Sequence, residues 1–295
     1  MTEPGKVETG SARELGRFLE IQNLGLNLAF ALAFLLVAAR GLPSALTVLL
    51  VLVAFVAARN AGHSFNRWTD RAQDRLNPRT RDRALVTGRL SSAFAVSFAA
   101  ANAAILVVAA ALLNPLALYL SPLALLLVLG YSYTKRAGWW TTAFLGLVQS
   151  ISPAAAYVAV RGTIPPEAFV AVAGMLLWGT AFETIHSLGD VESDRSQGLR
   201  SIPVALGVPS SVRLIPVLHA SALIAFGLYG RLAGLPYPFD VALVVIALLA
   251  ARTDLAIFRD PKRVLAPFRS HFLLGAVFLV GTVVGLLMLG WLPVP

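Results

Sequence analysis

The sequence predicts an all-α integral membrane protein built as a bundle of nine transmembrane helices. Of its 295 residues, 57% are hydrophobic and only 13% are charged, and the mean hydropathy is +0.75. A soluble protein of this length could not hydrate such a surface. Apolar stretches of about 20 residues, the length that crosses a bilayer, also recur along the whole chain.

The apolar stretches predict the helices in chain order. The predicted spans are residues 22–39, 43–62, 92–113, 117–134, 140–160, 166–187, 211–230, 237–257 and 270–291. Gly and Pro residues, such as Gly41 with Pro43 and Pro165 with Pro166, mark tight connections between them. We therefore divide the chain into a cytoplasmic N-terminal tail, residues 1–17, and a nine-helix membrane domain, residues 18–295.

Basic residues predict the orientation of the bundle. They concentrate in the N-terminal tail and in the connections after predicted helices 2, 4, 6 and 8. Because basic connections remain cytoplasmic, we expect a multi-pass protein of the plasma or inner membrane with its N-terminus inside. The same rule explains the net charge of +9, so the charge does not indicate nucleic-acid binding. The polar first residues lack the layout of a cleaved signal peptide, and we expect them to be retained.

Two acid pairs follow predicted helices 2 and 6 on the cytoplasmic side. Asn66, Asp70 and Asp74 are spaced four apart, which on a helix places them within an arc of roughly 80°. Asp190 and Asp194 repeat the spacing, which indicates a weak internal repeat. Salt bridging is the plainer reading, but it leaves unexplained why carboxylates recur at two span ends, since membrane burial costs about 2.5–3.5 kcal/mol each at a helix centre.

The acid pairs have the chemistry of a site for hard divalent cations. Carboxylate and amide oxygens, without His at ligand spacing and in a chain without Cys, favour Mg²⁺, or Mn²⁺, over Zn²⁺. The basic residues nearby would repel a bare cation but can bind the oxygens of a metal–phosphate complex. We therefore predict a phosphorylated lipid at the mouth of the bundle, bound by Arg79, Arg81, Arg83, Lys135, Arg195 and Arg200.

The motifs resemble those of the UbiA superfamily of intramembrane aromatic prenyltransferases. The resemblance rests on three stretches: Asn66-x-x-x-Asp70-x-x-x-Asp74 with Asn77-Pro78-Arg79-Thr80, Asp190-x-x-x-Asp194-Arg195 with Gly198 and Ile202-Pro203, and Tyr131 through Arg136. It covers nearly the whole chain. The most similar branch contains the 4-hydroxybenzoate polyprenyltransferases and the menaquinone prenyltransferases of the futalosine route.

This resemblance implies a magnesium-dependent enzyme of ubiquinone or menaquinone biosynthesis. It would transfer a polyprenyl group from its diphosphate to an aromatic acceptor, 4-hydroxybenzoate or a dihydroxynaphthoate. Mg²⁺ would bridge the diphosphate to Asp70, Asp74, Asp190 and Asp194, which are the predicted catalytic residues. Asn66 would be a further ligand of the metal or would support one of its ligands. The metal and the basic residues would stabilise the departing diphosphate, and the ring would attack the allylic cation. The prenyl tail would lie in an apolar groove open to lipid.

Four positions depart from the family pattern. The family commonly has Asp at Glu183 and Tyr at His186, and it often reads Arg-Pro-Leu-Pro where this chain has Arg83-Ala84-Leu85-Val86. We expect these positions to lie near the acceptor pocket, and we predict that Glu183 and His186 contact the acceptor. The alternative is that Glu183 and His186 only pair with each other inside the bundle.

Other polar residues within the spans have plainer interpretations. Gln149 and Ser150 either line the acceptor pocket or join helices through hydrogen bonds. His63 is predicted to be a hydrogen-bonded histidine of the bundle. His219 and His271 are predicted to be structural and to have no acidic neighbour.

A cation-coupled transporter of an anionic solute is the alternative from another functional class. It predicts acids deep within spans and broken helices, whereas the acid pairs here lie at span ends beside arginines. A CDP-alcohol phosphatidyltransferase would need Asp-Gly and Ala-Arg pairs within one motif, which this sequence lacks.

Overall fold

The protein is described from a computed structural model that covers residues 12–19, 25–261 and 265–292. Within these ranges every regular element is a helix, as the sequence predicts. The helices are α1 (Ala12–Phe18), α2 (Gly25–Ala39), α3 (Ala45–Thr69), α4 (Arg71–Leu76), α5 (Ser92–Leu113), α6 (Pro115–Ala137), α7 (Thr141–Gln149), α8 (Ile151–Arg161), α9 (Pro166–Leu188), α10 (Val191–Ser196), α11 (Ile202–Leu206), α12 (Val208–Ala233), α13 (Tyr237–Arg259) and α14 (Leu265–Met288).

The helical membrane bundle is confirmed. In the described part of the chain, 7 segments are long and apolar enough to cross a membrane: α3, α5, α6, α7 with α8, α9, α12 and α13. Two shorter apolar segments, Asn27–Ala39 and Phe272–Met288, come before and after these seven in chain order. Both adjoin residues outside the description, so the count of nine spans stays a prediction. The predicted boundary between tail and membrane domain, at residue 17, falls within α1.

A core of aromatic rings joins the first span to the last ones. The ring of Phe278 in α14 lies 4.9 Å from that of Phe30 and 5.5 Å from that of Phe34, both in α2. It also lies 5.2 Å from the rings of Phe226 and Phe239 in α12 and α13. These separations lie in the range where aromatic pairs add to the stability gained from burial. These contacts hold α2 and α14 against α12 and α13.

Glycines let α7 approach α9 closely. A Cβ at Gly146 would lie 2.7 Å from the carbonyl oxygen of Leu176 and 2.8 Å from the amide nitrogen of Thr180. A Cβ at Gly179 would lie 2.9 Å from the Cα of Gly146. Since these atoms belong to the backbone, they cannot move aside as a side chain would. The contact holds the C-terminal end of α7 against α9.

Gly146→Ala should therefore destabilise the protein, by about 1–3 kcal/mol, because the methyl group overpacks a backbone contact. Gly130→Ala is the matched control within another span, where an added Cβ meets no described heavy atom within 4 Å. There the better helix propensity of Ala should leave stability unchanged or raise it by up to about 1 kcal/mol. Thermal unfolding of the purified variants in detergent measures both effects. Equal unfolding temperatures would contradict the tight contact.

The predicted fifth span breaks in its middle, at Ser150, into α7 and α8. Pro153 has no N–H to donate to the carbonyl of Gln149, which would be its helical partner. The hydroxyl of Ser152 donates to that carbonyl instead, at 3.2 Å, and the hydroxyl of Ser150 donates to the carbonyl of Leu147 at 2.8 Å. Serine hydroxyls thus satisfy backbone groups that lipid could not.

His219 corrects one expectation from the sequence. Its Nδ1 lies 3.0 Å from both carboxylate oxygens of Asp254, so the prediction that it has no acidic neighbour is wrong. The partner was missed because it lies 35 residues away, on α13. The ring of Trp178 in α9 lies 4.8 Å from the imidazole, which joins α9, α12 and α13 at one point. The side chain of His271 lies outside the described residues.

His219→Leu is expected to cost about 1–3 kcal/mol of stability, because it leaves the largely buried carboxylate of Asp254 without the imidazole as its hydrogen-bond partner. Replacing both residues by Leu should recover most of the loss, since replacing both partners of a buried polar pair by apolar groups can be nearly neutral. Arg231→Gln is the matched control: its exposed ion pair with Asp240, at 2.7 Å, should contribute less than about 1 kcal/mol. Unfolding temperatures of the three variants test this. A double variant no more stable than His219→Leu would contradict this role of the contact between His219 and Asp254.

Candidate active site

One large cavity extends along the bundle, with a volume of about 1240 Å³. At one end it is lined by both acid pairs, which follow α3 and α9. At the other end it is lined by Leu113, Ala117 and Ile164, which lie at the opposite ends of the spans. Leu123 of α6 lines the cavity and is 52% exposed. From this exposure we infer that the cavity opens sideways beside α6.

The backbone repeats itself at the two acid pairs. Asp70 and Asp190 each link a span to a helix of 6 residues, with φ and ψ of −89° and 5° for Asp70 and −111° and 2° for Asp190. The backbone amide of Asp74 donates to the carbonyl of Asp70 at 2.8 Å. In the same way, the backbone amide of Asp194 donates to the carbonyl of Asp190 at 2.8 Å. This supports the internal repeat. It also refines the expectation of one continuous helix, because α3 ends at Thr69 and Asp70 lies at the bend.

Three arginines from two segments contact three of the four aspartates. The side chain of Arg79 donates to both carboxylate oxygens of Asp190, at 2.6 and 3.0 Å. Arg83 donates to Asp74 at 2.5 Å, and Arg136 of α6 lies 3.8 Å from Asp70.

Two side-chain amides complete these contacts. Asn66 donates to Asp70 at 3.1 Å, and Asn77 donates to Asp190 at 3.2 Å. Asn77 also accepts the backbone N–H of Arg79 at 2.9 Å, which orients the following arginine. The segment after the first acid pair is thus bonded to the second pair.

The carboxyl group of Asp190 is ionised at neutral pH. Burial alone would raise its pKa, but the hydrogen bonds and charge of Arg79, together with the amide of Asn77, outweigh burial and lower the pKa below its usual range. A deprotonated carboxylate is the form that binds a metal ion.

The donor set fits Mg²⁺ held jointly with a phosphate ligand. Among the described residues, no three His, Cys, Asp or Glu side chains converge into a metal cage made by protein alone. Mg²⁺ does not require one, because it usually binds one or two carboxylates, substrate phosphates and water. The four carboxylates and the amide of Asn66 all line one mouth of the cavity. Each acid pair therefore offers oxygen ligands for a metal ion that also binds phosphate.

The structure brings together some, but not all, of the predicted phosphate-binding residues. Arg79, Arg83 and Arg200 line the cavity. Arg81 and Arg195 are exposed and lie outside its described lining. The side chain of Lys135 lies outside the described residues.

Both interpretations of Glu183 and His186, contact with the acceptor and pairing with each other, stay predictions. Both residues line the cavity, and their side chains lie 3.7 Å apart. Gln149, beside the helix break, donates to Glu183 at 3.5 Å and lines the cavity as Ser150 does. His63 also lines the cavity.

Ala84 does not lie where we expected it. It packs with Leu85 and Leu90 against Phe18 and Leu19, outside the described lining of the cavity. This departure from the family pattern therefore concerns the packing of α1 and not the acceptor pocket.

Sequence reasoning missed Arg59, which lies within the span of α3 and lines the cavity. Its Nη1 donates to the carbonyl of Leu19 at 2.6 Å. Arg59 precedes Asn66 by two helical turns, about 10 Å along the axis, on the same face of α3. A lone arginine inside an apolar run was a visible signal, because its insertion costs about 2.5–3.5 kcal/mol. Arg136 was likewise counted for orientation but not for the site.

Known proteins resemble the chain over most of its length. Residues 27–274 match the model of the UbiA prenyltransferase family. The 4-hydroxybenzoate octaprenyltransferase of Nitrosomonas eutropha is 30% identical over 246 residues, which are 83% of this chain and 85% of that one. The 4-hydroxybenzoate octaprenyltransferase of Nitrosococcus oceani is 32% identical over 237 residues, 79% of this chain and 82% of that one.

Solved structures share the fold. The apo structure of a UbiA homolog from Aeropyrum pernix K1 matches with a TM-score of 0.82 and 31% identity, over 90% of this chain and 98% of that one. The structure of a UbiA homolog from Archaeoglobus fulgidus bound to DMAPP and Mg²⁺ matches with a TM-score of 0.73 and 18% identity, over 92% of this chain and 98% of that one.

Proposed function

The chain belongs to the UbiA prenyltransferase family, and from that premise we propose that it transfers a polyprenyl group from a polyprenyl diphosphate to a carboxylated aromatic ring. The acceptor is 4-hydroxybenzoate or a dihydroxynaphthoate, and the product enters ubiquinone or menaquinone biosynthesis. Membership of a family of enzymes sets the transporter alternative aside, although one span does break, at Ser150, as that alternative predicted.

The mouth of the cavity holds the diphosphate. Asp70, Asp74, Asp190 and Asp194, with Asn66, would hold Mg²⁺, which when bound neutralises the leaving diphosphate as a Lewis acid. Arg79, Arg83 and Arg200 bind its free oxygens, since guanidinium groups match phosphate geometry. The Archaeoglobus homolog with bound DMAPP and Mg²⁺ supports this assignment. The arginines at this mouth support a site on the cytoplasmic side of the membrane.

Arg59 is the observation that carries the choice of a carboxylated acceptor. Arg59 brings a guanidinium group to the cavity wall within a membrane span, and a guanidinium can bind a carboxylate through two of its N–H groups in addition to its bond to the carbonyl of Leu19. It lies about 10 Å deeper than Asn66, so an aromatic acid bound there would present its ring below the diphosphate. The relatives named 4-hydroxybenzoate octaprenyltransferase support an acceptor of this kind.

Glu183, which also lines the cavity, is the base of the last step. The allylic C–O bond breaks, the ring carbon forms the new C–C bond, and the ring then loses a proton. Glu183, buried and bonded to Gln149, accepts that proton while His186 orients its carboxylate. The apolar remainder of the cavity, towards Leu113 and Ala117, holds the prenyl tail.

The test uses membranes that contain the protein, Mg²⁺, a polyprenyl diphosphate and a panel of hydroxybenzoates and dihydroxynaphthoates, with products identified by mass spectrometry. We expect one class of acid to be prenylated, the product to vanish with EDTA, and Mn²⁺ to restore part of it. Membranes with Asp194→Asn are the control. Failure to prenylate any acid, with prenyl transfer to a neutral lipid instead, would refute the proposed acceptor.

A further inference from the structure

Two arginines of one cytoplasmic segment lie where metal ions would otherwise meet the aspartates. We call residues 77–90, between α4 and α5, the arm. Arg79 of the arm binds Asp190 through two hydrogen bonds, and Arg83 binds Asp74. The arm therefore engages one carboxylate of each acid pair.

The base of the arm is fixed, so only its side chains need to move. Thr80 is buried, and its hydroxyl donates to the carbonyl of Asp74 at 3.1 Å. Leu85 and Leu90 are buried against α1. The side chains of Arg79 and Arg83 are 47% and 26% exposed, so an incoming anion can reach both without unfolding the arm.

The charges oppose the binding of a bare metal ion. Arg79, Arg83 and Arg136 contribute three positive charges beside the four aspartates, which leaves one net negative charge among these seven side chains. A divalent cation must displace guanidinium groups to reach its ligands. A diphosphate removes this conflict, because it offers the arginines stronger anionic partners.

Resting on the proposed function, we propose that Arg79 and Arg83 withhold Asp190 and Asp74 from the metal ion until a diphosphate arrives. Metal and prenyl diphosphate then bind cooperatively, and the metal alone binds weakly. The same two side chains that release the carboxylates become ligands of the diphosphate. Coupling of this kind is reciprocal, so each ligand raises the affinity for the other by the same factor.

Mn²⁺ binding followed by electron paramagnetic resonance tests this without turnover. In detergent and without diphosphate, Arg79→Gln and Arg83→Gln should each bind Mn²⁺ about two- to fivefold more tightly than the wild type, the range expected from a partly exposed ion pair. Arg75→Gln is the matched control. It removes an equal charge from α4, where Arg75 is exposed and has no described ion pair with the four aspartates. It should change the affinity less than twofold.

A second titration adds a non-reactive farnesyl thiodiphosphate. It should raise the Mn²⁺ affinity of the wild type more than that of Arg79→Gln, whose own affinity for the analogue should fall. Arginine variants that bind Mn²⁺ no more tightly than the wild type, or that gain no more than Arg75→Gln, would overturn the inference.

Product formation keeps the two proposals apart. If the wild type prenylates an aromatic acid while the arginine variants show no gain in Mn²⁺ affinity, the proposed role of Arg79 and Arg83 is wrong and the proposed function stands. If the variants gain Mn²⁺ affinity but no aromatic acid is prenylated, the role of the two arginines stands and the proposed acceptor is wrong.

Discussion

Asp190→Asn is expected to lower the rate of prenyl transfer by about a hundred- to a thousandfold, the loss typical when one group that stabilises a leaving anion is removed. The substitution keeps the size of the side chain but removes a charged metal ligand. The amide of Asn has one acceptor oxygen and no charge, so it cannot replace the two carboxylate oxygens that accept hydrogen bonds from Arg79. Initial rates at saturating Mg²⁺ and prenyl diphosphate measure the loss. Because the pKa of the Asp190 carboxyl group is lowered, Asp190 stays ionised between pH 8 and pH 6. Its titration should therefore not slow the wild-type enzyme in this range.

Glu192→Gln is the matched control for this prediction. Glu192 lies on the short helix α10, two residues beyond Asp190, and is exposed. Its substitution removes an equal charge from the same surface and should change the rate less than about threefold, since exposed charges interact weakly. A similar loss in both variants would mean that general surface charge, and not metal ligation, explains the effect of Asp190.

Arg59→Gln is expected to raise the KM for a carboxylated acceptor on the order of a hundredfold, because the acceptor's carboxylate would be buried without a cation. The KM for prenyl diphosphate should change little, since Arg59 lies about two turns below the mouth. Steady-state kinetics with each substrate varied in turn separates the two constants.

The methyl ester of the same acceptor is the control. Arg59 also bonds to the carbonyl of Leu19, so its loss could disturb the packing of α1. A packing defect would slow the acid and the ester alike, whereas loss of the carboxylate contact affects the acid alone. Equal effects on both acceptors would contradict the assignment of Arg59.

The sequence could predict those parts of the site that depend on local spacing. Asn66, Asp70 and Asp74 repeat every four residues at the end of an apolar run, so helix geometry and span length together place them at one mouth. Asp190 and Asp194 follow by the same reasoning. Both pairs line the same cavity in the structure.

Contacts between distant segments could not be predicted in this way. Nothing local to His219 indicates Asp254 on another helix, and nothing local to Arg136 indicates Asp70. Arg81 and Arg195 fit the pattern of phosphate-binding residues, but the turn of the arm and the bend after α9 leave them exposed. Ala84 was misplaced because its partner, α1, begins in a stretch read as a polar tail.

The opening inferred beside Leu123 has a consequence for how turnover responds to the membrane. An opening there would make the bilayer continuous with the cavity, so a prenylated product would leave by lateral diffusion without crossing water. The effective concentration of the lipid substrate is then its mole fraction in the bilayer, not its concentration in the aqueous volume. At a constant total amount of prenyl diphosphate, diluting the membranes with added phospholipid should therefore slow the reaction.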